Sequence, residues 1–301
     1  MNGGKTSFYD EIEKNKRNSF ILGALVFAVL LFMIFVISQM FFPEATVLFV
    51  VFALLFSTGY VFTTYMYGDK IVLATTNSKP VNIKTPKGKF LQNTVEGLAI
   101  AAGIPTPKAY VIESNELNAF ATGRDPSHAS IAVTTGLIDK LNRIEMECVI
   151  GHEMAHIKNY DIRFATVIAV MVGLIAMLAF FLRSYFWFGG GRGRREGGGH
   201  IAIIVIGLLL AFIAPLIVRI VQSAISRRRE YLADASGAKL TRYPEGLASA
   251  LEKISGTNKG KMKVSEAVSH LFFVDPTHSA LDSMFDTHPP VKQRIAKLRA
   301  M

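Results

Sequence analysis

The sequence is short of cysteine and of charged residues. Its single cysteine among 301 residues excludes a disulfide scaffold and a cysteine-rich zinc or iron–sulfur site. Charged residues make up 19% of the chain, whereas a soluble domain carries about 25%. The 50% share of hydrophobic residues excludes intrinsic disorder, which requires a polar composition. The chain is therefore either a membrane protein or a soluble protein with an unusually large apolar core.

Four apolar runs are long enough to cross about 30 Å of hydrocarbon at about 1.5 Å per helical residue. They comprise residues 20–42, 45–67, 164–182 and 201–218. Pro43 and Glu44 predict a tight turn between the first two runs. The first run is too long for a signal peptide, whose apolar region spans about 7–15 residues. We predict two transmembrane hairpins; a buried hairpin of a soluble domain is the alternative for the second.

These runs divide the chain into four parts. They are a tail with the first hairpin (1–67), a polar region (68–163), the second hairpin (164–218) and a second polar region (219–301). Lysines and arginines lie beside the amino terminus and both polar regions, which the positive-inside rule places in the cytoplasm. The Gly/Arg-rich loop 189–199 disagrees, because this topology puts it outside. The net charge of +10 is concentrated near membrane ends, which indicates anionic lipid and no nucleic acid as a partner.

The two polar regions together are long enough to form one domain, with the second hairpin inserted between them. Apolar residues at helical spacing predict helices over 88–102 and 143–160, and the second polar region is mainly helical in pattern. Short strand-like runs cover Ala109–Ile112, Leu117–Thr122 and Ser130–Thr134. The predicted fold is α+β, with helices in excess of a small sheet.

The segment His152-Glu153-Met154-Ala155-His156 matches the pattern H-E-x-x-H. Residues four apart share one face of a helix, so both imidazoles can reach one metal ion, and zinc accepts such nitrogens. Glu153 then lies beside the open metal position, where it can deprotonate a water. The same helix carries Glu145, Glu147 and Lys158, which disfavours the alternative of a protease active within the bilayer.

Two histidines need a third protein ligand, and Glu230 is the best candidate. Glu230 and His156 each lie within about 18 Å along a helix axis from the nearest apolar run, at similar depth on one side of the membrane. Asp234 follows one turn later and can hold a ligand histidine in orientation. The alternative is a solvent-facing carboxylate paired with the preceding arginines.

The chain resembles the HtpX-type membrane zinc metalloproteases of family M48, which are related to the CAAX prenyl proteases. The resemblance rests on four segments in order: Asn118–Gly123, Gly151–His156 with Asp161 downstream, Glu230–Asp234 and Thr287–Pro290. It implies a zincin-like catalytic domain with one Zn²⁺ per subunit, bound by His152, His156 and Glu230, and Glu153 as general base. It also implies quality control of unfolded or misfolded proteins at the cell (inner) membrane; self-cleavage is left open.

The resemblance suggests roles for residues that chemistry alone leaves open. An extended substrate can pair with an edge strand at Asn118, Ala119, Phe120 and Ala121; an ordinary core strand is the alternative. His288 can donate a hydrogen bond to the tetrahedral oxyanion; a histidine in a turn before a proline-initiated helix is the alternative. Asp161 is expected to hold the zinc helix in place, as a cap or behind a ligand.

Several residues are given no metal role. His278 is interpreted as structural, Cys148 as a core residue, and His128, His200 and His270 lack ligand-like spacing. The leading hypothesis is an integral membrane zinc endopeptidase. The alternatives are a non-catalytic, zinc-stabilised membrane adaptor and a CAAX-type processing protease.

Overall fold

The structure, a computed structural model, describes residues 43–170, 227–258, 262, 264, 266–274 and 289–301, with isolated positions between 17 and 39 and at 173 and 180. The helices are α1 (Thr46–Thr75), α2 (Pro86–Ala102), α3 (Thr135–Lys140), α4 (Arg143–Lys158), α5 (161–170), α6 (Arg227–Thr241), α7 (Pro244–Thr257), α8 (Glu266–Ser269) and α9 (Val291–Arg299). The strands are β1 (Lys79–Pro80), β2 (Lys108–Ile112), β3 (Ala119–Gly123) and β4 (Ala129–Thr134).

Within these described ranges, one helix is long and apolar enough to cross a membrane. It comprises the 3₁₀ turn Pro43–Ala45 and α1, a candidate span of Pro43–Thr75. Its 30 residues in α1 extend about 45 Å, more than the roughly 30 Å of a hydrocarbon core. The surplus lies at its carboxyl end, where Asp69 and Lys70 are the first charges and Val72 and Leu73 are buried.

The other predicted spans are covered in part. All described positions between 17 and 39 are helical, and Gln39 Nε2 donates to Thr46 Oγ1 at 2.7 Å, which brings the first run beside the start of α1. Residues 161–170, Gly173 and Phe180 are helical, within or next to the third run. The fourth run and the Gly/Arg-rich loop lie outside the described residues, so the two hairpins stay predictions.

The four strands form one mixed sheet in the order β1-β2-β4-β3. β2 runs parallel to β4, while β1 and β3 pair antiparallel with their neighbours. The mostly helical fold with a small sheet is confirmed, and β2, β3 and β4 coincide with the three predicted strand-like runs to within two residues. β1 was not predicted, because two exposed residues, one of them proline, carry no alternating pattern.

The sheet separates two apolar clusters, because its side chains alternate between its faces. Ala121, Ile131 and Val133 face helices α2, α4 and α7. Phe120 and Ala132 face the opposite way, toward the carboxyl end of α1, helix α5, and Met262, Val268, Leu271 and Phe272. The ends of the two apolar helices thus form one of the two cores of the domain.

Helix α4, which carries the H-E-x-x-H pattern, has a firmly held amino terminus. Asn142 Oδ1 accepts a hydrogen bond from the Glu145 amide, and Glu145 Oε2 accepts one from the Asn142 amide, both at 2.9 Å. This reciprocal capping box satisfies two free amides. Glu145 also accepts hydrogen bonds from Ser249 at 2.7 Å and Lys253 at 2.8 Å on α7. One buried carboxylate therefore both starts α4 and fixes it to α7.

The pKa of Glu145 falls below its ordinary value of 4.5, since its bonds to Lys253, Ser249 and Asn142 outweigh the cost of burial. The carboxylate therefore stabilises the fold above that value, and the contribution is lost as the pH falls through the lower folded pKa. We expect Glu145→Gln to reduce the free energy of unfolding by about 1–2 kcal/mol near neutral pH. Denaturation followed by circular dichroism measures this, and the two proteins should converge in acid. Glu147→Gln is the control, because the Glu147 side chain is 36% exposed and pairs only with Arg143 of the same helix among the ion pairs of the described residues. An equal loss of stability in both variants would contradict the assignment.

Candidate metal centre and active site

His152 and His156 present their imidazoles to one point, as the one-turn spacing predicts. Their Nε2 atoms are 3.1 Å apart, and the ring centroids are 4.7 Å apart. The His152 side chain is 1% exposed and the His156 side chain 15% exposed, so access to this point is from the His156 side. Two nitrogens this close, with their lone pairs converging, form half of a metal site.

Glu230 on α6 enters the same space. Its Oε1 lies 3.5 Å from His156 Nε2, and its Oε2 lies 3.8 Å from His152 Nε2. Ligand atoms of the three residues all lie within 4.8 Å of one another, a cluster that can hold a metal ion. Two imidazole nitrogens and one carboxylate oxygen are a donor set that zinc accepts in catalytic sites.

The close crossing of α4 and α6 makes this cluster possible. A Cβ atom placed on Gly237 would lie 2.8 Å from the His152 main-chain nitrogen and 2.9 Å from its Cα. Because this contact is with backbone, a larger residue at Gly237 would force the two helices apart. The crossing therefore depends on the absence of a side chain at this position.

A carboxylate stands behind each histidine. His152 Nδ1 is 3.0 Å from Asp234 Oδ1, and His156 Nδ1 is 3.0 Å from Asp161 Oδ2. In a neutral imidazole, this arrangement favours the proton on Nδ1 and leaves the Nε2 lone pair available to a metal ion. Asp234 thus lies behind a histidine, as the prediction of an orienting group requires, and Asp161 lies behind the other histidine.

The charges around the two imidazoles differ. Burial lowers the pKa of His152 to about 4, which keeps that ring neutral. Burial acts in the same direction on His156, but the hydrogen bond to Asp161 and the charges of Glu230 and Glu153 outweigh it and raise its pKa to about 9. In the metal-free pair, the His152 ring is therefore neutral, and the His156 ring carries one additional proton and a positive charge. A cation is electrostatically favoured at this point, and a metal ion would displace that proton.

A cavity opens on the cluster. Glu153, which is 2% exposed, lines it beside the two histidines and Glu230. The opposite wall includes Ala121 from β3, Ala165 from α5 and residues 270–273. The site thus combines a cation-binding cluster with an adjacent carboxylate, which is the arrangement needed for metal-assisted hydrolysis.

The predicted substrate-binding strand has different surroundings at each residue. Asn118 donates through Nδ2 to the Val274 carbonyl at 2.6 Å and accepts from the Val274 amide at 3.2 Å. The Ala119 carbonyl accepts a hydrogen bond from the Phe273 amide at 2.8 Å. Phe120 points away from the metal cluster, into the core that includes the end of α1. Ala121 lines the cavity.

Residues 87–301 match Peptidase family M48. The chain belongs to this family. It is 43% identical over 298 residues to a Protease HtpX homolog from Dictyoglomus thermophilum, covering 98% of this chain and 95% of that protein. A Protease HtpX homolog from Streptococcus uberis is 39% identical, covering 97% and 99%. The M48 chain is accordingly a membrane metalloprotease.

The fold also resembles a solved structure. Ste24p from S. mikatae matches with a TM-score of 0.50 and 21% sequence identity, over 95% of this chain. The match covers 66% of Ste24p, so the M48 chain spans about two thirds of the length of that protein. At this identity the likeness concerns the fold alone.

The other histidines and Cys148 are placed as follows. His278 and His288 lie outside the described residues, so the oxyanion role of His288 stays a prediction. Cys148 is 1% exposed, in agreement with a core residue. His270, for which no metal role was predicted, lines the cavity, and its Nε2 is 3.2 Å from the Ala165 carbonyl.

Sequence reasoning missed Arg294, which is fully buried and bonded to Asp234. The signal for it was present in α9. Val291, Ile295 and Leu298 mark the apolar face of this helix, and Arg294 precedes Leu298 by one turn. A charged residue on the apolar face of an amphipathic helix requires a buried partner.

Glu230→Gln should remove a negatively charged ligand from the metal cluster. We expect zinc affinity to fall by more than about 100-fold, beyond the effect of losing a group behind a ligand. Competition with a chromophoric chelator measures the affinity in full-length protein. Glu245→Gln, at a half-exposed carboxylate on α7, is the matched control and should bind zinc like the wild type. Unchanged affinity in Glu230→Gln would contradict the assignment of Glu230.

Proposed function

We propose that the chain is an integral membrane zinc endopeptidase that cleaves misfolded or damaged proteins, including membrane proteins, in quality control. Zn²⁺ would be held by His152, His156 and Glu230, one ion per subunit. The observation that carries the proposal is Glu153, a buried carboxylate in the cavity beside these three groups. A metal site with a purely structural role has no need of a further carboxylate in the cavity beside its three ligands.

The chemistry follows from the positions of these residues. Bound zinc supplies Lewis acidity, which polarises the scissile carbonyl and lowers the pKa of a water molecule. Glu153 follows His152 by one residue, about 100° around the helix, and lines the cavity beside the residues that would hold the zinc ion. From there it accepts the proton of the attacking water and delivers it to the leaving amine. His288 would donate a hydrogen bond to the oxyanion.

The main chain of β3 supports recognition of an extended peptide. The Asn118 carbonyl accepts the Thr134 amide of β4. Bonding groups alternate between the two sides of a strand, so those of Ala119, Ala121 and Gly123 point away from β4. Three successive outward positions of an edge strand are therefore directed toward the region of the cavity.

Two of these three outward positions are bonded within the chain. The Ala119 carbonyl accepts the Phe273 amide, and the Gly123 amide donates to Thr166 Oγ1 at 3.1 Å. Ala121 lies between them and lines the cavity. We infer that the substrate main chain pairs with β3 at Ala121, through a peptide amide and carbonyl.

Casein cleavage by zinc-loaded, full-length protein tests the proposed reaction. Glu153→Gln keeps the shape of the side chain but removes the base, and we expect a loss of about 10²–10⁴-fold in rate at matched zinc content. Glu147→Gln is the control, since Glu147 lies on the same helix but outside the cavity. Equal cleavage by wild type and Glu153→Gln would overturn the assigned role. Zinc binding without cleavage by the wild type would favour an adaptor.

The proposed location is the cell (inner) membrane, crossed several times, with the catalytic domain in the cytoplasm. It is supported by the packing of Val72 and Leu73, at the carboxyl end of α1, into the core of the domain. The domain therefore lies at that end of α1, and the turn containing Glu44 lies at the other end. Lysines follow α1, in agreement with the positive-inside rule.

Labelling of single cysteines tests this orientation. In a Cys148→Ala background, we expect Glu113→Cys to react with a membrane-impermeant maleimide only after the membrane is opened, because the Glu113 side chain is 76% exposed on the domain. Glu44→Cys, at the opposite end of α1, should react in intact spheroplasts. The reverse pattern would place the catalytic domain outside.

A further inference from the structure

We propose that Arg294 is a positioning residue of the metal centre, which fixes the orientation of His152 through Asp234. The inference rests on the proposed zinc site and adds to it a residue from the last helix, α9. No resemblance or spacing assigned a role to this arginine. Three sets of contacts support this role.

The first step is the pairing of Arg294 with Asp234. Arg294 Nε donates to Asp234 Oδ2 at 2.9 Å, and Nη2 donates to Oδ1 at 2.7 Å. Arg294 is 0% exposed and Asp234 2% exposed, so neither charge is shared with solvent. A planar guanidinium that bonds both carboxylate oxygens fixes the plane as well as the position of the carboxylate.

The second step is the contact between that carboxylate and the metal ligand. The same Asp234 Oδ1 that accepts from Arg294 lies 3.0 Å from His152 Nδ1. A displacement of Asp234 would therefore be transmitted through this contact to the His152 ring, and with it to the position of Nε2. Arg294 acts on the metal site through one intervening carboxylate.

The third step concerns the contacts of the remaining guanidinium nitrogen, Nη1. Arg294 Nη1 lies 3.6 Å from Glu230 Oε2 and donates to the Phe273 carbonyl at 3.2 Å. The Phe273 ring in turn packs against His152, with ring centroids 4.9 Å apart. One guanidinium thus contacts groups on both sides of His152. A lysine amine, with a single nitrogen, cannot span these positions.

The charges around the centre agree with this role. Four buried carboxylates and two buried arginines surround the cluster in the described part of the chain, which leaves two negative charges, the amount that a zinc ion neutralises. The carboxylates are Glu153, Asp161, Glu230 and Asp234, and the arginines are Arg229 and Arg294. Arg294 bonds Asp234, and Arg229 lies 3.9 Å from Asp161, so each arginine is paired with a carboxylate behind a ligand histidine.

Helix α9 carries a second arginine, Arg299, that bonds two carboxylates of α7. Arg299 bonds Glu245 and Glu252 of α7 at 2.8–3.2 Å, with its side chain 44% exposed. Arg299 is therefore the matched control, since it also uses a forked guanidinium to hold two carboxylate groups. Unlike Arg294, Arg299 forms no bond to the residues of the metal centre in the described part of the chain.

The test is the zinc dissociation constant of full-length protein in detergent, measured by chelator competition. We expect Arg294→Lys to weaken zinc binding by about 10–100-fold, the usual effect of disturbing a group behind a metal ligand. Arg299→Lys should change it by less than about 2-fold, because exposed ion pairs contribute little. Equal zinc affinities in Arg294→Lys and the wild type would overturn the inference.

Two further variants test whether Arg294 acts through Asp234. Asp234→Asn should weaken zinc binding by about 10–100-fold, and adding Arg294→Lys to it should cost little more. Full multiplication of the two effects, or no effect of Asp234→Asn, would overturn the inference. Asp234→Asn gives this reading even if Arg294→Lys does not fold. Wild-type protein that binds no zinc would instead overturn the proposed function, so the two failures are distinguishable.

Discussion

The metal centre depends on how closely α4 approaches α6. The main chain of His152 would lie under 3 Å from any Cβ atom at Gly237, so the contact between the two helices is made by backbone. That contact brings Glu230 within 3.8 Å of both Nε2 atoms. Backbone packing fixes the separation of the ligand groups, and the carboxylates behind them fix the directions of the rings.

Burial of so many charges in one place has a consequence for stability. A carboxylate is costly to bury alone, and Asp161 and Asp234 each contact two basic groups. Asp161 accepts from His156 and lies 3.9 Å from Arg229, while Asp234 serves both His152 and Arg294. The interactions that hold the fold together around α6 are therefore the same ones that prepare the site for a divalent cation.

The sheet connects this centre to the apolar helices. One face of β3 and β4 packs on α4, and the other packs on the ends of α1 and α5. Ala165 of α5 and Leu271 line the cavity itself. The site therefore lies close to where the chain leaves its apolar helices.

Much of the local structure was determined by the sequence. The spacing of His152 and His156 and the strand-like runs of β2, β3 and β4 are properties of neighbouring residues, and the structure has them where they were predicted, to within two residues for the strands. The capping box of α4 is also local, but it was not predicted. Glu230 was also predicted as a ligand, because it lies in a short motif on a helix at a matching depth, and the structure brings it close to both histidines. What only the tertiary structure decided were the contacts across the chain: Asn118 bonded to Val274, Ala121 at the cavity, and Arg294 behind Asp234. These pairs are separated by 60 residues or more, or depend on which edge of the sheet is covered. Their geometry arises from packing, which no local pattern records.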